Sequence, residues 1–248
     1  GARILAVRTY AKATMTQPSK RRPYTDRVFR ALRALTARFF PFGRSNVTIL
    51  TLSTFFSTLY VYVPVSTLYL QSKGLNYVQI NSLWGIIVAT KFAAEVPAGV
   101  VGDRVGRRLS ISLALGFQLR GEVIYIFARG YPGFVIAAAA GGLGFAFSSG
   151  AVEALVYDSL RAQGRVEEMT RAMGAIGSAQ RFANLLAFTV GGLLVRDLSQ
   201  ARFVLAIIVT ACMVAVGLLI GLALKERPLE AKSAEPQRST TLIADGLA

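Results

Sequence analysis

Histidine is absent from the 248 residues, and cysteine occurs once, as Cys212 inside an apolar run. Zinc and haem sites, a Ser-His-Asp triad and a disulfide framework are thereby left without their usual side chains. Acids are scarce too, with 13 Asp and Glu against 28 Lys and Arg, for a formal net charge of +15. The few acids within apolar runs are scattered, which argues against a paired-carboxylate enzyme. No phosphate-cradling loop of the GxxxxGK[ST] type is present, so nucleotide hydrolysis is not the expected energy source. No cofactor and no metal are expected.

What the chain does have is hydrophobicity: 53% of residues are apolar and only 17% are charged. The basic excess does not gather on one amphipathic element between aromatics, as a nucleic-acid surface would require. It follows a membrane topology instead, with eleven Lys and Arg in residues 1–45 alone. Six apolar runs, near 47–70, 76–100, 109–128, 132–152, 172–195 and 202–224, each approach the roughly 20 residues that a helix needs to cross a bilayer. Positive charge retained inside puts both termini in the cytoplasm. The expected partner is thus the lipid bilayer, most simply the plasma (inner) membrane, with an all-α polytopic bundle of six transmembrane helices as the fold class.

Three regions follow: a basic tail over 1–45, a six-helix body over 46–224 and a polar tail over 225–248. In the first, Val28, Phe29, Leu32, Leu35 and Phe39 recur at helical spacing among arginines, predicting an amphipathic helix on anionic lipid. The composition of this tail also fits a transit peptide, or an extension upstream of a start at Met15. The last region, with Pro228 and Pro236, reads as a flexible linker.

Within the apolar runs, small residues recur at every fourth position: Gly85, Ala89 and Ala93; Ala138, Gly142, Ala146 and Gly150; and Ala175, Ala179, Ala183, Ala187 and Gly191. Such ridges let helix backbones approach closely in lipid, or give smooth seams where bundles slide. Thr51, Thr54, Thr58 and Tyr62 form a hydroxyl stripe in the first run, with Pro64 expected to bend its outer end. These hydroxyls can face a solute or bond back to their own carbonyls. Lys91 and Glu95 lie one turn apart and read as a bundle-facing pair, in contact with Arg181, that serves either structure or binding. Arg120 and Glu122, two residues apart, cannot face each other on a helix and give no candidate site.

Between the second and third runs stands GVVGDRVGRR, residues 99–108, expected to be a cytoplasmic loop. Gly99, Asp103, Arg104, Gly106, Arg107 and Arg108 occupy every fixed position of the signature loop of the major facilitator superfamily, which this chain resembles. The resemblance extends over 46–224 and is to the N-terminal six-helix half of such a transporter, a 3+3 inverted repeat. Gly192-Leu-Leu-Val-Arg196-Asp197 after the fifth run echoes Gly99-Val-Val-Gly-Asp103-Arg104 as that repeat would place it. The Arg usual in the fourth helix of proton-coupled drug antiporters is missing from 137–144, and so is their fifth-helix Gly-Pro motif.

The resemblance implies secondary transport of a small solute by alternating access, with a proton as a candidate coupling ion and a C-terminal six-helix half as a partner. It also implies that Asp103 holds the cytoplasmic side shut by contacting that half. Asp103 is expected in addition to cap the third helix, and Glu153, Asp158 and Arg161 to form an ion-pair cluster with Arg104, Arg107 and Arg108. The rival expectation is a six-helix scaffold, regulator or truncated paralogue that transports nothing.

Overall fold

The computed structural model describes residues 45–225, within the unit Arg44–Ala248. The expected amphipathic helix over 25–40 and almost all of the C-terminal linker lie outside the described residues. Among the described residues the secondary structure is helical, without strands. It comprises α1 (Asn46–Ser57), α2 (Ser66–Ser72), α3 (Tyr77–Val105), α4 (Arg107–Phe127), α5 (Gly130–Ser148), α6 (Ala151–Arg161), α7 (Met169–Leu194) and α8 (Gln200–Gly221), with short 3-10 turns at Val63–Val65 and Val166–Glu168.

Among the described residues four stretches are long and apolar enough to cross a membrane: Tyr77–Val105, Arg107–Phe127, Gly130–Arg161 and Gln200–Gly221. Six were expected, and the two shortfalls have separate causes. α7 has the length, at 26 residues, but Arg171, Ser178, Gln180, Arg181 and Asn184 dilute its hydrophobicity. The first run is not one helix. α1 stops at Ser57, and the chain turns through Thr58–Tyr62 before the 3-10 turn and α2.

Pro64 accounts for that break. Its nitrogen has no hydrogen to offer, and its ring would collide with the carbonyl four residues back, that of Tyr60. The Tyr60 carbonyl accepts from Val63 N–H instead, at 3.2 Å. Broken backbone at membrane depth is tolerated only where protein covers it, and α8 provides the cover. Thr210 Oγ1 accepts the Val61 N–H at 3.0 Å and donates to the Ala206 carbonyl at 2.9 Å, with Thr210 and Val61 both fully buried. Gly191 of α7 presses against the Val61 carbonyl so closely that a Cβ there would overlap it.

The expected loop at 99–108 is helical except for one residue. α3 runs through Pro97 to Val105, α4 begins at Arg107, and Gly106 alone turns the chain with φ 118° and ψ 152°. An L side chain rarely adopts that conformation, so glycine permits a hinge with no loop. At its start α3 carries a capping box, with Gln79 N–H donating to Asn76 Oδ1 at 2.9 Å and Asn76 N–H to Gln79 Oε1 at 3.0 Å. Gly150, at φ 73°, similarly separates α5 from the short α6.

α5 packs on both α3 and α4, and α8 packs on α1 and α4, while α7 lies along α1. Of the small-residue ridges, Ala138, Gly142 and Ala146 are buried, as are Ala183, Ala187 and Gly191. A Cβ on Gly142 would come within 2.6 Å of the Ile87 carbonyl of α3, so the two backbones nearly touch. The ridge on α3 behaves otherwise: Gly85, Ala89 and Ala93 are exposed, together with Val88, Phe92 and Val96. Aromatic packing closes one end of the bundle, where Tyr69 lies 6.2 Å from Phe134 and 5.6 Å from Phe203, and Tyr125 lies 5.0 Å from Phe134.

Candidate functional site

At the α3–α4 hinge, Arg107 reaches back one turn and pairs with Asp103 at 2.6 Å. Asp103 therefore does not cap α4: the N-cap is Gly106, which has no side chain, and Asp103 lies in the last turn of α3. Arg108 Nη2 donates to the Leu222 carbonyl at 2.8 Å, placing a cation at the C-terminal end of α8, where unpaired carbonyls concentrate negative charge. Gly102 is buried against Ser110, whose Oγ donates to the Phe147 carbonyl at 2.8 Å. Gly99 and Arg104 are exposed. The motif thus staples α3, α4, α5 and α8 at one end of the bundle.

Glu153, Asp158 and Arg161 lie on α6 and are exposed, and none forms an ion pair with a described residue. The structure does not bring them to Arg104, Arg107 or Arg108 in a cluster. In the connection between α6 and α7, Arg165 holds Glu168 with two bonds of 2.8 Å, and this keeps the Glu168 carboxyl below its ordinary range.

Lys91 and Glu95 are also apart in their bonding. Glu95 is exposed, and its Oε1 accepts from Ser149 Oγ at 2.9 Å, next to the α5–α6 kink. Lys91 is half-buried and Arg181 exposed on α7, with no ion pair joining the three. A lysine one turn before a glutamate is the weaker order along a helix, and the serine offers that glutamate a donor from a neighbouring helix.

The hydroxyl stripe of the first run divides at the break. Thr51 and Thr58 bond back to the carbonyls of Val47 and Thr54, at 2.7 and 2.6 Å. Thr58 and Tyr62 nonetheless line a cavity of about 370 Å³ inside the bundle, whereas Thr54 does not reach it. Tyr60, beside the break, also lines it; α3 contributes Trp84, α4 contributes Gln118, Glu122 and Tyr125, and α7 contributes Gln180 and Asn184.

Glu122 is the residue that sequence reasoning passed over. It is 6% exposed, and Oε1 receives a long hydrogen bond of 3.4 Å from the Tyr62 hydroxyl. Oε2 is buried with no hydrogen-bond partner. Among the described residues no Lys or Arg lines the cavity. Paired with Arg120, two residues away and unable to face it on a helix, Glu122 gave no candidate site. The signal lay at i, i+4 and i+7, since Gln118, Glu122 and Tyr125 share a helical face, and that face meets the broken first run.

A family model for the Major Facilitator Superfamily matches residues 18–245. Among curated proteins, the chain is similar to the "Uncharacterized MFS-type transporter YxaM" of Bacillus subtilis (strain 168), with 34% identity over 59 residues. That match takes in 24% of this chain and spans 15% of the relative's length.

Proposed function

Since the chain belongs to the major facilitator superfamily, a family of membrane transporters, we propose that it forms the N-terminal six-helix bundle of a secondary transporter moving a small solute by alternating access. In this reading α1 with α2 forms the first span despite its break, and α7 the fifth, its polar residues turned to the solute path and not to lipid. Both termini face the cytoplasm, in the plasma membrane. The spans form two inverted triplets, α1 to α4 and α5 to α8.

The observation that carries the reading is the cavity, a space of about 370 Å³ walled mainly by apolar and aromatic side chains with Gln118, Glu122, Gln180 and Asn184 among them, inside a bundle whose main helices are apolar enough to span a bilayer. Discontinuous helices beside a cavity with a few polar groups are where membrane transporters hold their solutes. The exposed ridge of Gly85, Ala89 and Ala93 on α3 supports a second bundle: small residues matter where another helix backbone approaches. Asp103, 66% exposed although paired with Arg107, has room to meet such a partner and hold the cytoplasmic side shut. In this reading Glu153, Asp158 and Arg161, exposed on α6, join the same closure in another state. A proton gradient is the simplest energy source for this arrangement.

Reconstitution tests this directly. The 248-residue chain alone in liposomes, with insertion verified separately, is expected to show no gradient-driven uptake across a solute panel, and co-reconstitution with a second six-helix bundle is expected to confer it. Uptake by the chain alone would sink the two-bundle requirement. No uptake in either case would favour a scaffold or regulator.

A further inference from the structure

Among the described residues Glu122 is the one carboxylate lining the cavity, and no described Lys or Arg lines it. Its burial is nearly complete, one oxygen has only the distant Tyr62 hydroxyl and the other has nothing. Buried ionised carboxylates are found paired or coordinating a cation, because an isolated charge loses its hydration without compensation. The described side chains around this one offer no positive partner. Arg120, the cation nearest in sequence, lies over the Phe117 ring at 5.9 Å, and Lys91 of α3 does not line the cavity.

What surrounds the carboxyl is aromatic. Tyr60 and Tyr62 enter from the broken first run, Trp84 from α3, Tyr125 from α4 and Phe134 from α5, with Tyr62 and Tyr125 ring centres 5.0 Å apart. Faces of Trp and Tyr attract cations through the ring quadrupole, the more so when water is excluded. A volume of about 370 Å³ falls within the range of small-molecule sites.

We infer that this cavity binds an organic cation, a quaternary or protonated amine with an apolar or aromatic body, whose charge is met by Glu122 and whose body is held by the rings of Tyr62, Trp84 and Tyr125. Tyr62 is the positioning residue, its hydroxyl holding Oε1 so that Oε2 is free for the ligand. A multivalent metal ion is a poor fit, since the described lining sets one carboxylate against its charge and is otherwise mainly apolar and aromatic. The assignment deepens the transporter reading and rests on it only for its place in a transport cycle; binding itself needs no transport.

The test uses Trp84, the only tryptophan in the chain and part of the cavity wall, as its reporter. The full chain in nanodiscs of neutral phosphatidylcholine is titrated with benzyltrimethylammonium, and separately with phenylmethanesulfonate, which has a similar outline and the opposite charge. Saturable change in Trp84 emission is expected with the cation, at least about tenfold tighter than with the anion. Glu122→Gln keeps the shape and removes the charge, and is expected to weaken the cation about ten- to hundredfold, the usual worth of a charge-assisted contact. Glu122→Asp, which keeps the charge, is expected to recover part of the loss. Equal affinity for cation and anion in the unaltered chain, or no saturable change with the cation, overturns the assignment even if the Gln variant fails to fold. Equal cation affinity in the unaltered and folded Gln chains overturns it as well. Failure of these arms alongside successful two-bundle uptake would leave a transporter with a different solute.

Discussion

Thr210→Val isolates the device that allows the first span to break. Valine fills the same space, so no cavity opens, and the change is confined to the hydroxyl. That hydroxyl is fully buried and serves twice, accepting from Val61 N–H at 3.0 Å and donating to the Ala206 carbonyl at 2.9 Å. The Ala206 carbonyl loses only a supplementary bond. Val61 N–H is more exposed to loss, because its remaining contact is the strained one to the Leu59 carbonyl at 3.2 Å. Leaving a buried donor poorly matched costs about 1–3 kcal/mol, whereas hydrogen bonds between membrane helices average about 0.6 kcal/mol by double-mutant cycles. The surviving Leu59 contact places the expected loss near the middle, about 1 kcal/mol. Reversible unfolding in mixed micelles measures it, and hydrogen exchange at the Val61 amide localises it. Thr210→Ser, which keeps the hydroxyl, is expected to leave that amide protected. Unchanged stability with unchanged exchange at Val61 in Thr210→Val would refute the view that α8 secures the break.

Gly217→Ala is expected to destabilise by about 1–3 kcal/mol through overpacking, since the new Cβ would lie 2.9 Å from the Ser53 carbonyl and the Ser57 backbone; thermal unfolding checks this. Near the α6–α7 connection, Arg165 lowers the Glu168 carboxyl below its unfolded value, so its contribution is present above the ordinary carboxylate range and lost as pH falls through the depressed value. Arg165→Gln should therefore flatten the acid limb of the stability profile there, an effect that titration of Glu168 by NMR would expose. Asp103→Asn breaks an exposed i,i+4 pair worth about 0.3–0.5 kcal/mol and should leave the fold intact. In a two-bundle transporter it should shift populations toward the inward-open state, and unchanged spin-label distances across the cytoplasmic side would count against a gating role.

Helix existence was legible because apolar runs of membrane length leave few alternatives, and Gly106 and Pro64 announced themselves as interruptions. The form of each interruption was not. A hinge without a loop depends on one residue's φ, and the break at Thr58–Tyr62 depends on Thr210, 149 positions away. The signature residues were found as a group, yet Asp103 was read as a cap because a loop was assumed where helix continues. The hydroxyl stripe led to Thr58 and Tyr62 but not to the acid they accompany. Glu122 acquires meaning only when Tyr62 is carried to it by the broken span, a contact between residues 60 positions apart that no single-helix pattern encodes. Lys91 and Glu95 illustrate the converse, since shared periodicity did not decide which neighbour the glutamate chose.

In the proposed transporter the cavity belongs to a path open to each side of the membrane in turn. Asn184 lines the cavity and is exposed, and the single cysteine, Cys212, is exposed and free. In the two-bundle assembly, Asn184→Cys on a Cys212→Ser background, in sealed vesicles of both orientations, is probed with a membrane-impermeant maleimide. Alternating access predicts labelling from both faces, with Asp103→Asn raising the rate from the cytoplasmic face and lowering it from the other. Labelling from one face only, unchanged by Asp103→Asn, would contradict the account and point to a static bundle.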